Sequence, residues 1–571
     1  MAGHDHPHHP TPLERVFSLL APDRREVWIV LLFAVGVGVF TLATPLAAAA
    51  MLNNTALGTL AQQVFVLALG LLVALVLAAL LQLLQTVTVE YIQRRLFARV
   101  VNDLAYRLPR VKAEAFDHDH GPEVVNRFFD VMTVQKSVAT LMLDGITIVL
   151  QILIGLILLG VYDSALLGYD IVLIGGLLVM VFVLGRGAVG SAIRESISKY
   201  EVAGWMQEMA RHRLAFKLAG GPRYARERAD ELTRDYLLKR QAHFRRVVRQ
   251  FGFALFLQAF AIAGLLAVGG YLVSERRLTL GQLVAAEIVV TMVVGSFTKF
   301  GKQLESYYDL LAAADKLGHL MDLPLERAGG EAFPARAGGA KVAVLGVRFG
   351  YGGYGHTVLD RLDLTLAPGE RVALTGSNGS GKTTLAELLF GLRLPDHGRI
   401  EIDDADLRDL SLESVRERIA IVSGVEVFDG TVLSNIGMGR EEVTAADVRA
   451  ALRSVGLLET ILAYPDGLNS ALGTGGTQLS LGQVNRLMLA RALVGKPRLL
   501  VLDETLDHMD ADIRENVLPA VLGRDAPWTL LVITHSDEVS ALCDRVIHLG
   551  KRLPDHAVPP VAAPTRPESH S

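Results

Sequence analysis

Residues 376–384 read GSNGSGKTT, and this stretch decides the class of one half of the chain. It matches the pattern G-x-x-x-x-G-K-[ST] without a gap, follows the apolar run RVALT and opens the apolar stretch AELLFGL. A strand, a glycine-rich loop and a helix in this order let backbone N–H groups and the helix N-terminus surround phosphate oxygens. The sequence therefore predicts a nucleotide-binding loop, in which Lys382 reaches the β- and γ-phosphates and the Thr383 hydroxyl binds Mg²⁺.

A second apolar run, LLVLDE at residues 499–504, ends on two acidic residues. As a buried strand it would deliver Asp503 to the edge of a sheet, where the carboxylate can hold Mg²⁺ directly or through water. Glu504 is then placed to orient and deprotonate an attacking water. Adjacent acids are often only solvated, but the nucleotide loop upstream favours a catalytic pair.

The composition points to a membrane for the other half. The chain has 571 residues, of which 51% are hydrophobic and 20% charged, and its mean hydropathy is +0.36. It is too long for one core and too apolar for most soluble proteins. A net charge of −4 gives no indication of a nucleic-acid partner, and the single Cys543 excludes an internal disulfide or a cysteine-based metal cage.

Three long stretches carry almost no charge. Residues 27–89 contain no charged side chain, residues 145–185 contain only two acids, and a third apolar stretch covers about residues 251–297. Each is long enough to cross an apolar layer about 30 Å thick twice. The sequence predicts six helical spans in three hairpins, with turns at residues 53–55, near Asp163 and at residues 275–277.

Lys and Arg set the predicted orientation. Segments 90–138 and 186–249 are amphipathic and rich in arginine, whereas the first two turns carry no basic residue. Arg276 and Arg277 in the third turn are a mild exception. We therefore expect both segments and both termini on the cytoplasmic side of the membrane, with the spans extended as helices well beyond the bilayer.

The predicted fold class is a membrane α-helical domain of six spans plus an α/β nucleotide-binding domain. The histidines of the N-terminal tail (His4, His6, His8 and His9) are interpreted as solvated rather than metal-binding. The predicted domain plan is a tail and elbow helix at 1–24, the six-span domain at 25–320, a linker at 321–340, the nucleotide domain at 341–552 and a disordered proline-rich tail at 553–571.

With these features in order, the chain resembles an exporter-type half-transporter of the ATP-binding cassette (ABC) family. LSLGQ at residues 479–483 falls where that family carries the signature LSGGQ, DHMD at 507–510 replaces SALD, and His535 lies in THSDE at the place of the switch histidine. Such chains work as dimers, in which each ATP lies between the nucleotide loop of one subunit and the signature of the other. The segments AEAFDHDHGPEVVNRFFDV and YEVAGWMQEMARHRLAFKLAG resemble the regions that supply coupling helices.

The resemblance implies the following site, with ATP and Mg²⁺ as cofactors. Glu504 and His535 would be the catalytic residues, and Thr383 and Asp503 would bind the metal ion. Tyr351 would stack on adenine, and the other nucleotide-binding residues would be Gly376, Ser377, Asn378, Gly379, Ser380, Gly381, Lys382, Thr383, Thr384, Ser480, Gly482 and Gln483.

Three positions depart from the family pattern. Where a glutamine normally senses Mg²⁺ and the γ-phosphate, this chain has Ser423 or Gly424, and Glu426 is the one polar substitute with reach. The run GTGG at 473–476 lacks the acidic residue that often precedes the signature. Leu481 replaces a signature glycine, which leaves the site usable if its φ is negative and the pocket has room.

The predicted function is ATP-driven export of an unidentified substrate, either a lipid, a peptide or a small amphipathic compound, by a dimer with alternating access. The favoured partners are a second copy and the lipid bilayer. Half of a heterodimer, a secretion ATPase with a periplasmic adaptor, and an importer remain open alternatives.

The membrane domain offers one main candidate for substrate contact. Glu287, in the sixth span, is expected to face the dimer interior, because an ionisable side chain is costly in lipid. It would bind a cationic part of the substrate or, equally well, be a hydrogen-bonded structural residue near Gln258. Asp170 in the fourth span is the weaker candidate.

Overall fold

The computed structural model describes residues 10–56, 61–117, 125–352, 357–507 and 511–550. The chain divides into two compact units, and the main boundary between them lies after Pro324. The histidine-containing N-terminal tail and the proline-rich C-terminal tail lie outside the described residues. Residues 322–340 contain no helix, and most of them belong to the second unit.

The first unit is helical. Its helices are α1 (Pro12–Leu20), α2 (Arg24–Thr41), α3 (Ala43–Ala56), α4 (Ala61–Arg107), α5 (Asp130–Thr140), α6 (Ile146–Tyr162), α7 (Ser164–Leu178), α8 (Ala188–Arg211), α9 (Gly221–Ser274) and α10 (Leu280–Met321).

Six stretches of the described chain are long and apolar enough to span a membrane, as the sequence predicts. They are Pro12–Asn53, Gln62–Arg110, Arg127–Tyr162, Ser164–Val183, Gly221–Ser274 and Leu280–Met321. The predicted turn at 53–55 needs a small correction. Helix α3 continues through these residues to Ala56, because alanine and leucine before them favour helix and no breaker intervenes.

Several helices are much longer than a bilayer crossing. Helix α4 has 47 residues and α9 has 54, which correspond to about 70 Å and 80 Å at 1.5 Å per residue. Their arginine-rich ends form part of the segments 90–138 and 186–249. Thr279 begins α10 with a capping box, in which its hydroxyl accepts the N–H of Gln282 at 3.1 Å and the Gln282 side chain accepts the N–H of Thr279 at 2.8 Å.

A buried carboxylate joins the start of α2 to α4. The side chain of Asp23 is 0% exposed and lies 2.6 Å from Arg99 and 3.2 Å from Arg95. Arg95 also pairs with Glu26 at 3.0 Å, and Arg99 donates to the carbonyl of Leu19 at 3.0 Å. Two guanidinium groups thus compensate the desolvation of one carboxylate, which a single exposed partner would not do.

We predict that Asp23→Ala lowers the midpoint of thermal unfolding of the detergent-solubilised chain. Removing one partner from a buried ion pair costs about 3–5 kcal/mol, and the partial exposure of both arginines shifts the expected cost to the lower figure. The matched control is Glu90→Ala, which removes an exposed pair with Arg94 at 2.8 Å and should change stability by less than about 0.5 kcal/mol. Equal midpoints for the two variants would contradict the prediction.

The second unit is built on β-sheets. Its strands are β1 (Val342–Gly350), β2 (Thr357–Leu366), β3 (Arg371–Gly376), β4 (His397–Ile402), β5 (Ala405–Asp406), β6 (Ile419–Val422), β7 (Gly430–Thr431), β8 (Ala471–Leu472), β9 (Leu499–Asp503), β10 (Thr529–Ile533) and β11 (Arg545–Leu549).

The strands form three sheets. A parallel sheet has the order β11-β3-β10-β9-β6, an antiparallel sheet has the order β2-β1-β4-β5, and β7 pairs with β8. Strands β9 and β10 are almost wholly buried, as expected for a parallel sheet covered on both faces.

Helices complete this unit. They are α11 (Lys382–Leu389), α12 (Leu412–Arg418), α13 (Val432–Gly437), α14 (Ala445–Ser454), α15 (Leu458–Leu462), α16 (Leu481–Val494), α17 (Ala511–Leu522) and α18 (Asp537–Ala541). Helix α11 follows β3 directly after the glycine-rich loop, so the predicted strand–loop–helix order is present.

Candidate nucleotide site

The glycine-rich loop leaves β3 through backbone conformations that need glycine. Gly376 has φ +152° and Gly381 has φ +95°. A Cβ at Gly376 would lie 2.5 Å from the carbonyl oxygen of Leu549, and one at Gly381 would lie 2.6 Å from the side chain of Leu359. The loop can therefore turn its backbone inward only because both positions lack a side chain.

The polar side chains of this loop fit a phosphate. Lys382 is only 6% exposed, and its ammonium donates to the carbonyls of Gly376 at 2.9 Å and Ser377 at 3.3 Å. The hydroxyl of Ser380 is buried and has no hydrogen-bond partner among the described residues. A buried hydroxyl without a partner is costly, and a phosphate oxygen would satisfy it. The first N–H groups of α11 point to the same place.

A cavity of about 560 Å³ lies against this loop. It is large enough for a nucleotide, and it brings together residues that are far apart in the sequence. The lining residues are Tyr351, Val358, Asn378, Gly379, Gly381, Lys382, Thr383, Thr384, Glu504 and His535.

Tyr351 forms one wall of the cavity. Its hydroxyl lies 3.0 Å from the hydroxyl of Thr384 and 3.4 Å from Glu387, and the guanidinium of Arg393 lies 4.8 Å from the ring centre. Burial raises the pKa of the Tyr351 hydroxyl above its ordinary value. Contacts at its hydroxyl and the guanidinium over one face thus hold the ring, and a base could stack on the other face.

Asp503 lies at the carboxyl end of β9, between two hydroxyl groups. Its carboxylate hydrogen-bonds the side chain of Thr383 and lies 3.3 Å from the hydroxyl of Ser423. Burial raises the pKa of this carboxyl, and the hydrogen bond from Thr383 acts in the opposite direction. Oxygen donors of this kind suit Mg²⁺, so Thr383 and Asp503 would hold the ion.

Glu504 adopts a strained backbone conformation beside Asp503. Its φ is +52°, and its N–H donates to the carbonyl of Ile533 at 2.9 Å. Its carboxylate lies 3.3 Å from the Nε2 of His535. Non-glycine residues with such a φ cost about 1–3 kcal/mol and cluster at functional sites. The two residues assigned to catalysis are therefore in contact at the edge of the cavity.

Sequence reasoning missed a third residue in this arrangement, Asp507. Its carboxylate accepts the N–H of His535 at 2.7 Å and the hydroxyl of Thr534. The loop that carries His535 is thereby tied to the segment directly after Glu504. The available signal was the acid in DHMD at the position of the serine in SALD.

The structure distinguishes between Ser423 and Gly424. Ser423 directs its hydroxyl at Asp503, whereas Gly424 has φ +67° and begins the turn away from the sheet. Neither Ser423 nor Glu426 lines the nucleotide cavity, and the backbone carbonyl of Glu426 accepts a hydrogen bond from Arg491 at 2.8 Å. Ser423 is thus the one of these residues whose side chain is hydrogen-bonded to Asp503.

The signature residues form a separate surface. Ser480 caps α16, since its hydroxyl accepts the N–H of Gln483 at 3.3 Å while the Gln483 side chain accepts the N–H of Ser480 at 2.9 Å. Leu481 occupies the first helical position, has a negative φ and is 58% exposed. Ser480, Gly482 and Gln483 do not line the cavity beside the glycine-rich loop.

The candidate residues of the membrane domain differ in exposure. Glu287 on α10 is exposed in the single chain, so a ligand or a second copy has access to it. Asp170 on α7 is 2% exposed, and neither of its carboxylate oxygens has a hydrogen-bond partner in the described part of the chain. The two acids are not brought together by any described contact.

The fold and the loop together define a membrane protein with a nucleotide-binding domain. The family model for the ABC transporter transmembrane region matches residues 27–297, and that for the ABC transporter matches residues 359–507. The chain belongs to the ABC transporters and has the six-span, single-cassette organisation of a half-transporter.

Relatives and a solved structure are consistent with this assignment. ATP-dependent lipid A-core flippases from Thiobacillus denitrificans, Chromobacterium violaceum and Dechloromonas aromatica are 34%, 35% and 32% identical, over 60%, 51% and 66% of this chain. The matches span 59%, 50% and 64% of these curated relatives, between half and two thirds of their length. A bacterial Atm1-family ABC exporter with ATP bound aligns with TM-score 0.82 and 22% identity, over 92% of this chain and 93% of that one, so the fold is that of an ABC exporter.

We predict that Leu481→Gly leaves the fold intact and raises ATP turnover of the full chain in lipid. The leucine side chain is exposed, so its loss removes little packing, and the added glycine costs at most about 1 kcal/mol at a helix end. Removing the leucine side chain allows a phosphate to come closer to the N–H groups around Ser480. Thermal unfolding and steady-state ATPase are the measurements, with Leu462→Gly, an exposed leucine at the end of α15, as the control. Unchanged turnover would show that Leu481 does not obstruct the site.

Proposed function

We propose that this chain is an ATP-driven exporter that works as a dimer of two copies in a bacterial inner membrane, with its nucleotide domain on the cytoplasmic side. The observation that carries the ATPase activity is the cavity where Lys382 and Glu504 lie with His535, whose ring is 3.3 Å from the Glu504 carboxylate. A cation for the phosphates, a base for water and a second polar group are the components that phosphoryl transfer to water requires.

The proposed reaction is attack of a water on the γ-phosphorus of ATP, which breaks the bond to the β–γ bridging oxygen and releases ADP and inorganic phosphate. The glycine-rich loop and Lys382 bind the phosphates, and Glu504 accepts the proton of the attacking water. His535 keeps the Glu504 carboxylate oriented and contacts the γ-phosphate. Mg²⁺, when bound at Thr383 and Asp503, supplies charge neutralisation on the phosphate oxygens.

The separation of the signature from the loop supports the dimer. Ser480 and Gly482 do not line the cavity that holds Lys382, so a complete site of the family type needs the signature of a second subunit. Mass measurement of the detergent-solubilised chain expressed alone distinguishes a homodimer from half of a heterodimer. A monomer would favour the heterodimer.

We expect Glu504→Gln to stop ATP turnover while nucleotide binding remains. The substitution keeps the shape of the side chain but removes the base, and the loss of a general base typically lowers the rate by about 10²–10⁴-fold. Phosphate release and retention of radiolabelled ATP by the purified chain in nanodiscs are the measurements. Wild-type turnover no higher than that of the variant would refute the catalytic assignment.

For the substrate we propose a lipid. The support is that relatives 32–35% identical over about half or more of the chain are named as flippases of a lipid. Transport of a lipid requires a path along which its polar headgroup can cross the apolar layer of the membrane. An exposed carboxylate on a spanning helix could pair with an amine of such a headgroup. Glu287 on α10 carries that carboxylate.

Glu287→Gln should reduce the stimulation of ATPase by amine-containing lipids and leave basal turnover nearly unchanged. The reason is that the amide keeps the size of the side chain but has no charge to attract an ammonium group. The assay compares ATPase in nanodiscs with and without phosphatidylethanolamine, and Glu275→Gln, exposed at the turn between α9 and α10, is the matched control. An equal loss of basal and stimulated activity would indicate a structural role for Glu287.

A further inference from the structure

Ser423 is placed by strand pairing. Strand β6 runs parallel to β9 with Ile419 opposite Leu499 and Val422 opposite Leu502. The residue after Val422 therefore falls beside Asp503, and the hydroxyl of Ser423 lies 3.3 Å from the Oδ2 of that carboxylate. The contact follows from the register of two buried strands rather than from a flexible loop.

A buried hydrogen bond holds this end of β6 in place. The hydroxyl of Thr505 donates to the carbonyl of Val422 at 3.1 Å, and Thr505 is only 4% exposed. Directly after Ser423 the chain turns away at Gly424, whose φ is +67°. The backbone just before Ser423 is thus held in place, which keeps the Ser423 hydroxyl within reach of Asp503.

The alternative substitute for glutamine, Glu426, is engaged elsewhere. Both Glu426 and Ser423 line a cavity of about 320 Å³ with Arg440 and Arg491, but only the Ser423 side chain is hydrogen-bonded to Asp503. Arg491 also donates to the backbone carbonyl of Glu426. The side chain of serine is two bonds shorter than that of glutamine. We therefore expect Ser423 to hydrogen-bond Asp503 and not to reach a γ-phosphate.

We propose that Ser423 is a positioning residue that sets the affinity of the ATP site for Mg²⁺ by donating a hydrogen bond to Asp503. With Thr383 on one side of the carboxylate and Ser423 on the other, the orientation of Asp503 is determined by two hydroxyl groups. Groups that hydrogen-bond a metal ligand typically change metal affinity by about 10–100-fold. This proposal rests on the proposed function of the site as an ATPase.

The test is a Mg²⁺ titration of nucleotide binding by the full chain in nanodiscs, with Glu504→Gln as the background so that no ATP is consumed. Binding of a fluorescent ATP analogue is followed as Mg²⁺ is added, and separately in EDTA. Ser423→Ala should weaken the apparent Mg²⁺ affinity about tenfold and leave binding in EDTA unchanged. Ser423→Thr keeps the hydroxyl and should restore the affinity.

The matched control is Ser454→Ala in α14, whose hydroxyl makes only a local helical hydrogen bond to Ala451 at 2.8 Å. Equal Mg²⁺ affinity for Ser423→Ala and Ser454→Ala would overturn the inference and leave the ATPase proposal standing. Equal weakening in EDTA would also overturn it, because it would show loss of the nucleotide pocket rather than of metal positioning. Failure of the background variant to bind nucleotide at any Mg²⁺ concentration would refute the proposed function itself.

Discussion

Parallel pairing of buried strands is the constraint on which the nucleotide site depends. β3, β10, β9 and β6 lie side by side, so their carboxyl ends meet at one edge of the sheet. The glycine-rich loop, His535, Asp503 and Ser423 each come at or just after one of these ends. Because β9 and β10 are almost wholly buried, slipping one of them would misplace packed apolar side chains as well as move a functional group.

The contiguous motifs could be predicted from the sequence because each carries its structural context. The loop at 376–384 lies between an apolar strand and an apolar helix, and Asp503 and Glu504 end a strand. The spans were predictable because a stretch as long as residues 27–89 without charge has no place in a soluble core. His535, by contrast, could be assigned only through the resemblance to a family, since a lone histidine after a strand has no distinctive chemistry.

Other features could not be predicted because they depend on contacts between distant segments. The contact of Ser423 with Asp503 follows from the pairing of β6 with β9, which the sequence of either segment alone does not show. The role of Asp507 depends on the approach of the loop at Thr534. The helical conformation of residues 53–55 reflects the helix propensity of the alanine and leucine residues before them. The positive φ of Glu504 is likewise imposed by its surroundings.

The hydrogen-bonded cap at Ser480 affects how the signature would bind the phosphate of a nucleotide held by a second subunit. The serine oxygen accepts the N–H of Gln483, so one of its two lone pairs is used while its own proton remains available to donate. The helix start is therefore already ordered by internal bonds before any phosphate approaches, and the remaining donor faces outward at no further entropic cost. Two nucleotide domains would then close by rigid docking of ordered surfaces. The exposed side chain of Leu481, next to Ser480, would determine how closely the two surfaces approach.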